Sequence, residues 1–188
     1  LMAVHATQLT PADVAALAET SCSVVHCPRS NLKLVSGACP VADLLDAGVN
    51  VALGTDGAAA NNRLDLWSEM NMAALFGKFV AADAAALPAG TIIELATLNG
   101  ARALGLEAEI GSLLEGKSAD VVCVELQNPG TRPVLDPLSQ LVYAAGRENV
   151  TDVWVAGQHL VEGGGLVGMD VEAILQKADE WAERVNVS

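Results

Sequence analysis

Aromatic residues are scarce in this 188-residue sequence: three Trp, two Phe and one Tyr make up 3% of it, although 52% is hydrophobic. The apolar volume is therefore mostly Ala, Val and Leu. That mixture suits parallel strands that are apolar throughout and covered by alanine-rich helices. Basic residues are also few, 10 Lys and Arg against 23 Asp and Glu, which leaves a net charge of −13. A surface of that sign repels phosphate backbones and argues against nucleic acid or an anionic membrane as partner. No apolar run reaches the roughly 18 residues that a membrane-spanning helix needs, and no basic segment leads into an apolar one near the start. The expectation is a soluble, cytoplasmic protein.

The four cysteines, Cys22, Cys27, Cys39 and Cys123, form no C-x-x-C pair and fall at irregular spacings. A chain this rich in core residues does not need disulfide staples, so they are expected to be reduced thiols filling small core volumes. Cys27 directly follows His26. Neighbours on a strand point to opposite faces, which disfavours a Cys–His nucleophile.

What the sequence does contain is organised around residues 49–62, VNVALGTDGAAANN. An apolar run between two glycines reads as a short strand buried on both faces. It stops on Gly-Thr-Asp-Gly. A carboxylate at the carboxyl end of a buried strand is where barrels and doubly wound sheets place their chemistry, which makes Asp56 the first candidate. Asp-Gly is also a common turn pair, so the motif alone leaves a structural Asp56 open.

Two earlier strands carry histidines near their ends: residues 1–5, ending on His5, and residues 22–27, containing His26. Between them, Thr10, Pro11 and Asp13 mark a helix start, with Thr10 as cap and Pro11 at the first helical position. Residues 28–37 read as a polar loop, and a helix of about eight residues from Pro40 closes at Gly48. Three successive strand-helix units, each delivering a polar residue at the strand end, argue for a parallel sheet or barrel. A long amphipathic helix is expected over 64–80, then an alanine-rich linker, then one helix over 91–106 stopped by Gly105. From Glu107 onward the pattern changes to glycine turns and β-branched strands. Residues 121–126 read as a strand, 136–146 as a short inserted helix, and 151–161 as a hairpin turning at Ala156, Gly157 and Gln158. Residues 171–188 close the chain with a helix. The expected division is 1–106, 107–170 and 171–188.

Taken together, VHATQLT, HCPRSNLKLVSG, ALGTDGAAANN, ATLNGARALGL and IGSLLEGKSADVVCVEL, in this order, resemble the amidohydrolase superfamily. Within it the resemblance is to the branch of methylthioadenosine/S-adenosylhomocysteine deaminases and triazine chlorohydrolases, and it covers nearly the whole chain. It implies an α/β fold: strands six to eight of a metal-dependent (β/α)8 barrel plus the C-terminal share of a small β-sandwich. His5, His26 and Asp56 would end the sixth, seventh and eighth strands. A complete barrel takes about 250 residues, so the resemblance also implies that this is the C-terminal half of an enzyme whose N-terminal half lies elsewhere.

Such enzymes hold one divalent metal, usually zinc, through a His-x-His pair on the first strand, a His on the fifth and an Asp on the eighth. Only the last has a match here, Asp56. Zinc, or another divalent ion such as Fe2+, is the cofactor implied. Asp56 and His5 are then the catalytic candidates, and Asp56, His5 and Asn31 the substrate-binding ones. The reaction implied is hydrolytic deamination of an adenosine-type thioether, with Asp56 moving the proton and His5 stabilising charge. The general acid of the family, a Glu after the fifth strand, has no counterpart, and the chain alone is expected to be inactive. Smaller roles are expected of Arg29 and Ser30, in fixing their loop, and of Asn61 and Asn62, in ordering the loop after Asp56. His26 reads as a structural histidine and His159 as a surface one. Guanine or cytosine deaminases and triazine chlorohydrolases of the same superfamily share these features. A reading from a different class is a non-catalytic α/β interaction module. A homo-oligomer is compatible with either.

Overall fold

The computed structural model describes residues 1–186. Its first layer is a parallel three-stranded sheet, β1 (Met2–Val4), β2 (Ser23–His26) and β3 (Val51–Leu53), in the order β1-β2-β3. The register aligns Val4 with Val25, and His26 with Leu53, so the three strands end level. Val24 and Val51 are fully buried, as expected for strands covered on both faces. Among the described residues β1 has a strand neighbour on one flank only, and Met2 and Val4 are exposed.

The connecting helices follow from local signals. The first, α1 (Pro11–Glu19), starts with a capping box: the Thr10 hydroxyl accepts from the Asp13 N–H, and the Asp13 carboxylate accepts from the Thr10 N–H. Next come α2 (Pro28–Lys33) and α3 (Val41–Asp46). The first of these corrects the expectation of a polar loop over 28–37. Pro28 stands at the first helical position with its φ already set, and five more residues of helix follow although no side chain caps them.

The long amphipathic segment is α4 (Leu66–Ala81), capped by the Asp65 carboxylate on the Trp67 N–H. The single helix expected over 91–106 is two, α5 (Ala89–Ala96) and α6 (Leu98–Leu104), with Gly105 ending the second in a left-handed turn. Thr97 breaks them. Its hydroxyl donates back to the Ile93 carbonyl while its own backbone leaves the helical region. The break lets Asn99 turn inward, where its amide donates to the Val51 carbonyl and its carbonyl accepts from Asn50. This pins α6 under the parallel sheet.

The second sheet is antiparallel: β4 (Val121–Val124), β5 (Val150–Val155), β6 (Gln158–Glu162) and β7 (Gly165–Leu166), in chain order. Ala156 and Gly157, with φ of 50° and 77°, make the tight turn between β5 and β6. Helix α7 (Pro137–Tyr143), started by Asp136, leaves this sheet and packs on α4 and α5. Val142 is fully buried there beside Leu44, Ile92 and Leu95, and its carbonyl accepts from Asn71. The chain continues into α8 (Val171–Asn186), exposed along its length up to Val185. Residues 187 and 188 of the expected terminal helix lie outside the described residues. Among the described residues no helix is long and apolar enough to cross a membrane. Cys22, Cys27 and Cys39 are buried free thiols, as expected. Cys123 differs, being exposed on β4.

Candidate active site

The carboxyl ends of β1, β2 and β3 meet at one place. After Val4 the backbone of His5 and Ala6 takes the left-handed conformation, with φ of 70° and 48°. This bend carries the imidazole of His5 across toward the end of β3. There Gly54 runs so close to β2 that a Cβ on it would stand 2.8 Å from Val25 Cγ1 and 3.2 Å from Cys27 Sγ. Only glycine allows that approach, and it sets the height at which the next two residues, Thr55 and Asp56, leave the strand.

Asp56 is itself left-handed, with φ of 60°. Its Oδ1 accepts from the Gly57 N–H at 2.7 Å and its Oδ2 from the Ser30 hydroxyl at 2.6 Å. These two bonds, the Ser30 one first, hold the carboxyl below the usual carboxylate range, against a small opposing effect of burial. His5 Nε2 lies 3.8 Å from Asp56 Oδ2. On the other side of the ring, His5 Nδ1 is 2.9 Å from Asn31 Oδ1. A carbonyl oxygen can only accept, so Nδ1 carries the proton. In the neutral ring Nε2 then presents a lone pair toward Asp56.

The structure thus brings His5, Ser30, Asn31 and Asp56 together from three strand ends. Asn31 is buried behind His5 and its oxygen is engaged with the ring. Ser30, in α2, holds the Asp56 side chain itself. His26 is almost fully buried, its Nδ1 has no hydrogen-bond partner, and burial, helped by the charge of His5, depresses its pKa to about 4. Burial, with the negative charges of Asp56 and Glu69, pushes the Cys27 thiol up to about 11, which removes it as a nucleophile. His159 stands apart in the second sheet, half-buried, stacked on Trp154 and 3.1 Å from Asp152.

Sequence reasoning missed Glu69. It is on α4, fully buried, and bonded to the Arg29 N–H at 3.2 Å and to Asn61 Nδ2 at 2.6 Å. Asn61 does order the loop after Asp56, through the Thr55 carbonyl, and Asn62 does so by accepting from Lys33.

Each Asp56 oxygen accepts one hydrogen bond and keeps a lone pair, a donor that suits a divalent ion such as zinc. A catalytic zinc takes three protein ligands. Among the described residues no three His, Cys, Asp or Glu side chains come together to hold a metal. Asp56 therefore fits one side of such a centre, with His5 beside it.

Residues 1–160 match the model of the amidohydrolase family. The chain belongs to that family. It is 51% identical, over 97% of its length, to the 5-methylthioadenosine/S-adenosylhomocysteine deaminase of Teredinibacter turnerae. It spans 41% of that relative. Among solved structures, a zinc-bound adenosine deaminase from Xanthomonas campestris superposes with a TM-score of 0.98 at 52% identity, over all of this chain and 43% of the other. A zinc-bound atrazine chlorohydrolase from Arthrobacter aurescens superposes with a TM-score of 0.88 at 29% identity, over 95% of this chain and 40% of the other. The fold is the α/β fold of that superfamily.

Proposed function

We propose that these residues are the Asp56-bearing part of a zinc-dependent deaminase that converts methylthioadenosine or S-adenosylhomocysteine to the inosine analogue and ammonia. The observation that carries this reading is the pairing of His5 with Asp56 across the ends of β1 and β3, at 3.8 Å. The names of the relatives support the substrate class. In this reading β1, β2 and β3 are the last three strands of a (β/α)8 barrel within 1–106, and 107–170 is part of a small sandwich. The remaining metal ligands come from a part of the enzyme outside these 188 residues, without which the chain is silent.

Zinc held partly by Asp56 would supply a Lewis acid and a water whose pKa falls to about 7. Asp56 would accept a proton from the attacking water and return it to the amine, which leaves C6 of the purine as ammonia. The Ser30 and Gly57 bonds keep the carboxylate ionised and able to accept it. His5, its Nδ1–H fixed by Asn31, accepts through Nε2 and orients the attacking water. Asn31 thus serves the reaction at one remove, through the His5 ring.

The test is a substrate panel on the enzyme with its barrel complete. Ammonia release from methylthioadenosine or S-adenosylhomocysteine should have a higher kcat/KM than release from adenosine, guanine or cytosine. Chloride release from atrazine as the fastest reaction would replace this reading with that of a chlorohydrolase. Activity of the 188-residue chain alone would overturn the shared metal centre.

A further inference from the structure

Glu69 is an anion with no exposed surface, among the buried Met70, Ala73 and Ala74 of the same helix. A carboxylate in such a place is costly unless its oxygens are occupied, and burial does raise its pKa. Its partners come from the two segments that follow β2 and β3, Arg29 from the first turn of α2 and Asn61 from the loop after Asp56. Oε2 accepts from the Arg29 N–H, while Oε1 accepts from Asn61 Nδ2 and faces Arg29 Nε at 3.8 Å.

One arm ends a residue away from a group that holds Asp56, the other a residue away from Asp56 itself. Arg29 precedes Ser30, whose hydroxyl donates to Asp56 Oδ2. Asn61 Nδ2 also donates, at 2.9 Å, to the carbonyl of Thr55, the residue before Asp56. We propose that Glu69 is a positioning residue that clamps the start of α2 and the loop after β3 onto one carboxylate and so fixes where the Asp56 side chain points. The proposal rests on the reading of Asp56 as a metal ligand. A helix is the stiffest available anchor for this purpose. α4 is capped at Asp65 and buried against α5 and α7, so neither segment can shift without breaking a bond to it.

The experiment uses the complete enzyme, stripped of metal and titrated with zinc against a chromophoric chelator. Glu69→Gln keeps the shape of the side chain but turns one acceptor into a donor facing other donors. Zinc Kd is expected to rise at least about tenfold, the scale on which groups that orient metal ligands act. Ser30→Ala should also raise it. The double variant should raise it no further than the larger single one, because both changes act on the same carboxylate. Asn61→Ala, which cuts only the Thr55 arm, should give a smaller rise and keeps the test decisive if Glu69→Gln does not fold. A lowered melting temperature with wild-type zinc Kd in Glu69→Gln or Asn61→Ala would reduce Glu69 to a core residue and overturn the clamp. Asp56→Ala, run in parallel, separates the two levels. If it leaves zinc Kd unchanged, the ligand reading falls and the clamp with it. If it removes zinc while the other variants bind normally, the clamp alone falls.

Discussion

Asp56→Asn is expected to abolish ammonia release by the complete enzyme. Asparagine tolerates the left-handed backbone at this position and keeps one oxygen for the Ser30 hydroxyl, giving up only the bond from the Gly57 N–H. What it loses is the negative charge and the ability to take a proton. Removal of a positioned general base costs about 10² to 10⁴ in rate. The loss of an anionic metal ligand adds to that, so steady-state kcat/KM should fall by at least about 10³. Ammonia assay together with zinc content per protein measures both parts. Activity within about tenfold of wild type would return Asp56 to the role of a turn residue.

His26 should make the protein acid-sensitive well above the range in which carboxylates titrate. Its pKa is near 4 when folded and 6.5 when free. The unfolded chain therefore binds more protons between those values, and stability rises with pH across that window. Falling from pH 7 to pH 5, the group should cost about 2 kcal/mol, and about 3 kcal/mol over the full window. Glu69 acts with the opposite sign: its raised pKa means the folded state holds its proton longer, so its contribution is lost as pH climbs above 4.5. Asp56 and Asp13, both lowered, lose theirs only below about 3.8. Urea denaturation of wild type and His26→Leu at pH 7 and pH 5 isolates the histidine. The variant should lack the wild type's extra loss, and an equal loss in both would show that His26 takes up its proton without unfolding.

Much of this arrangement was legible in the residues. The three strands were marked by short apolar runs leading to His5, His26 and the Gly-Thr-Asp segment 54–56, and α1 by a cap whose bonds are local. Signals of that kind lie within a few residues of one another. What escaped has partners far away in sequence. The α2 helix is one turn and a half with no side-chain cap, too short for periodicity to register. Thr97 breaks a continuous helical pattern because Asn99 is wanted by Val51, 48 residues earlier. Glu69 sits in a helix whose charged residues would ordinarily face water. Its burial is set by Arg29, 40 residues away, and by Asn61. The Ser30 hydroxyl was equally hidden, since a serine after Pro-Arg bonds its own loop as readily as a carboxylate 26 positions on.

The left-handed backbone at Asp56 also limits the mutational routes open to this position. Side chains other than Gly, Asn and Asp enter that conformation at a cost of roughly 1 to 2 kcal/mol. Gly and Asn enter it cheaply but discard the charge. Glu retains the charge at the price of backbone strain and a longer reach. On the proposed reading the comfortable neighbours of Asp56 lack the charge its chemistry needs and the charged alternative is strained, so a lineage that drifts away from Asp here regains it only by direct reversion.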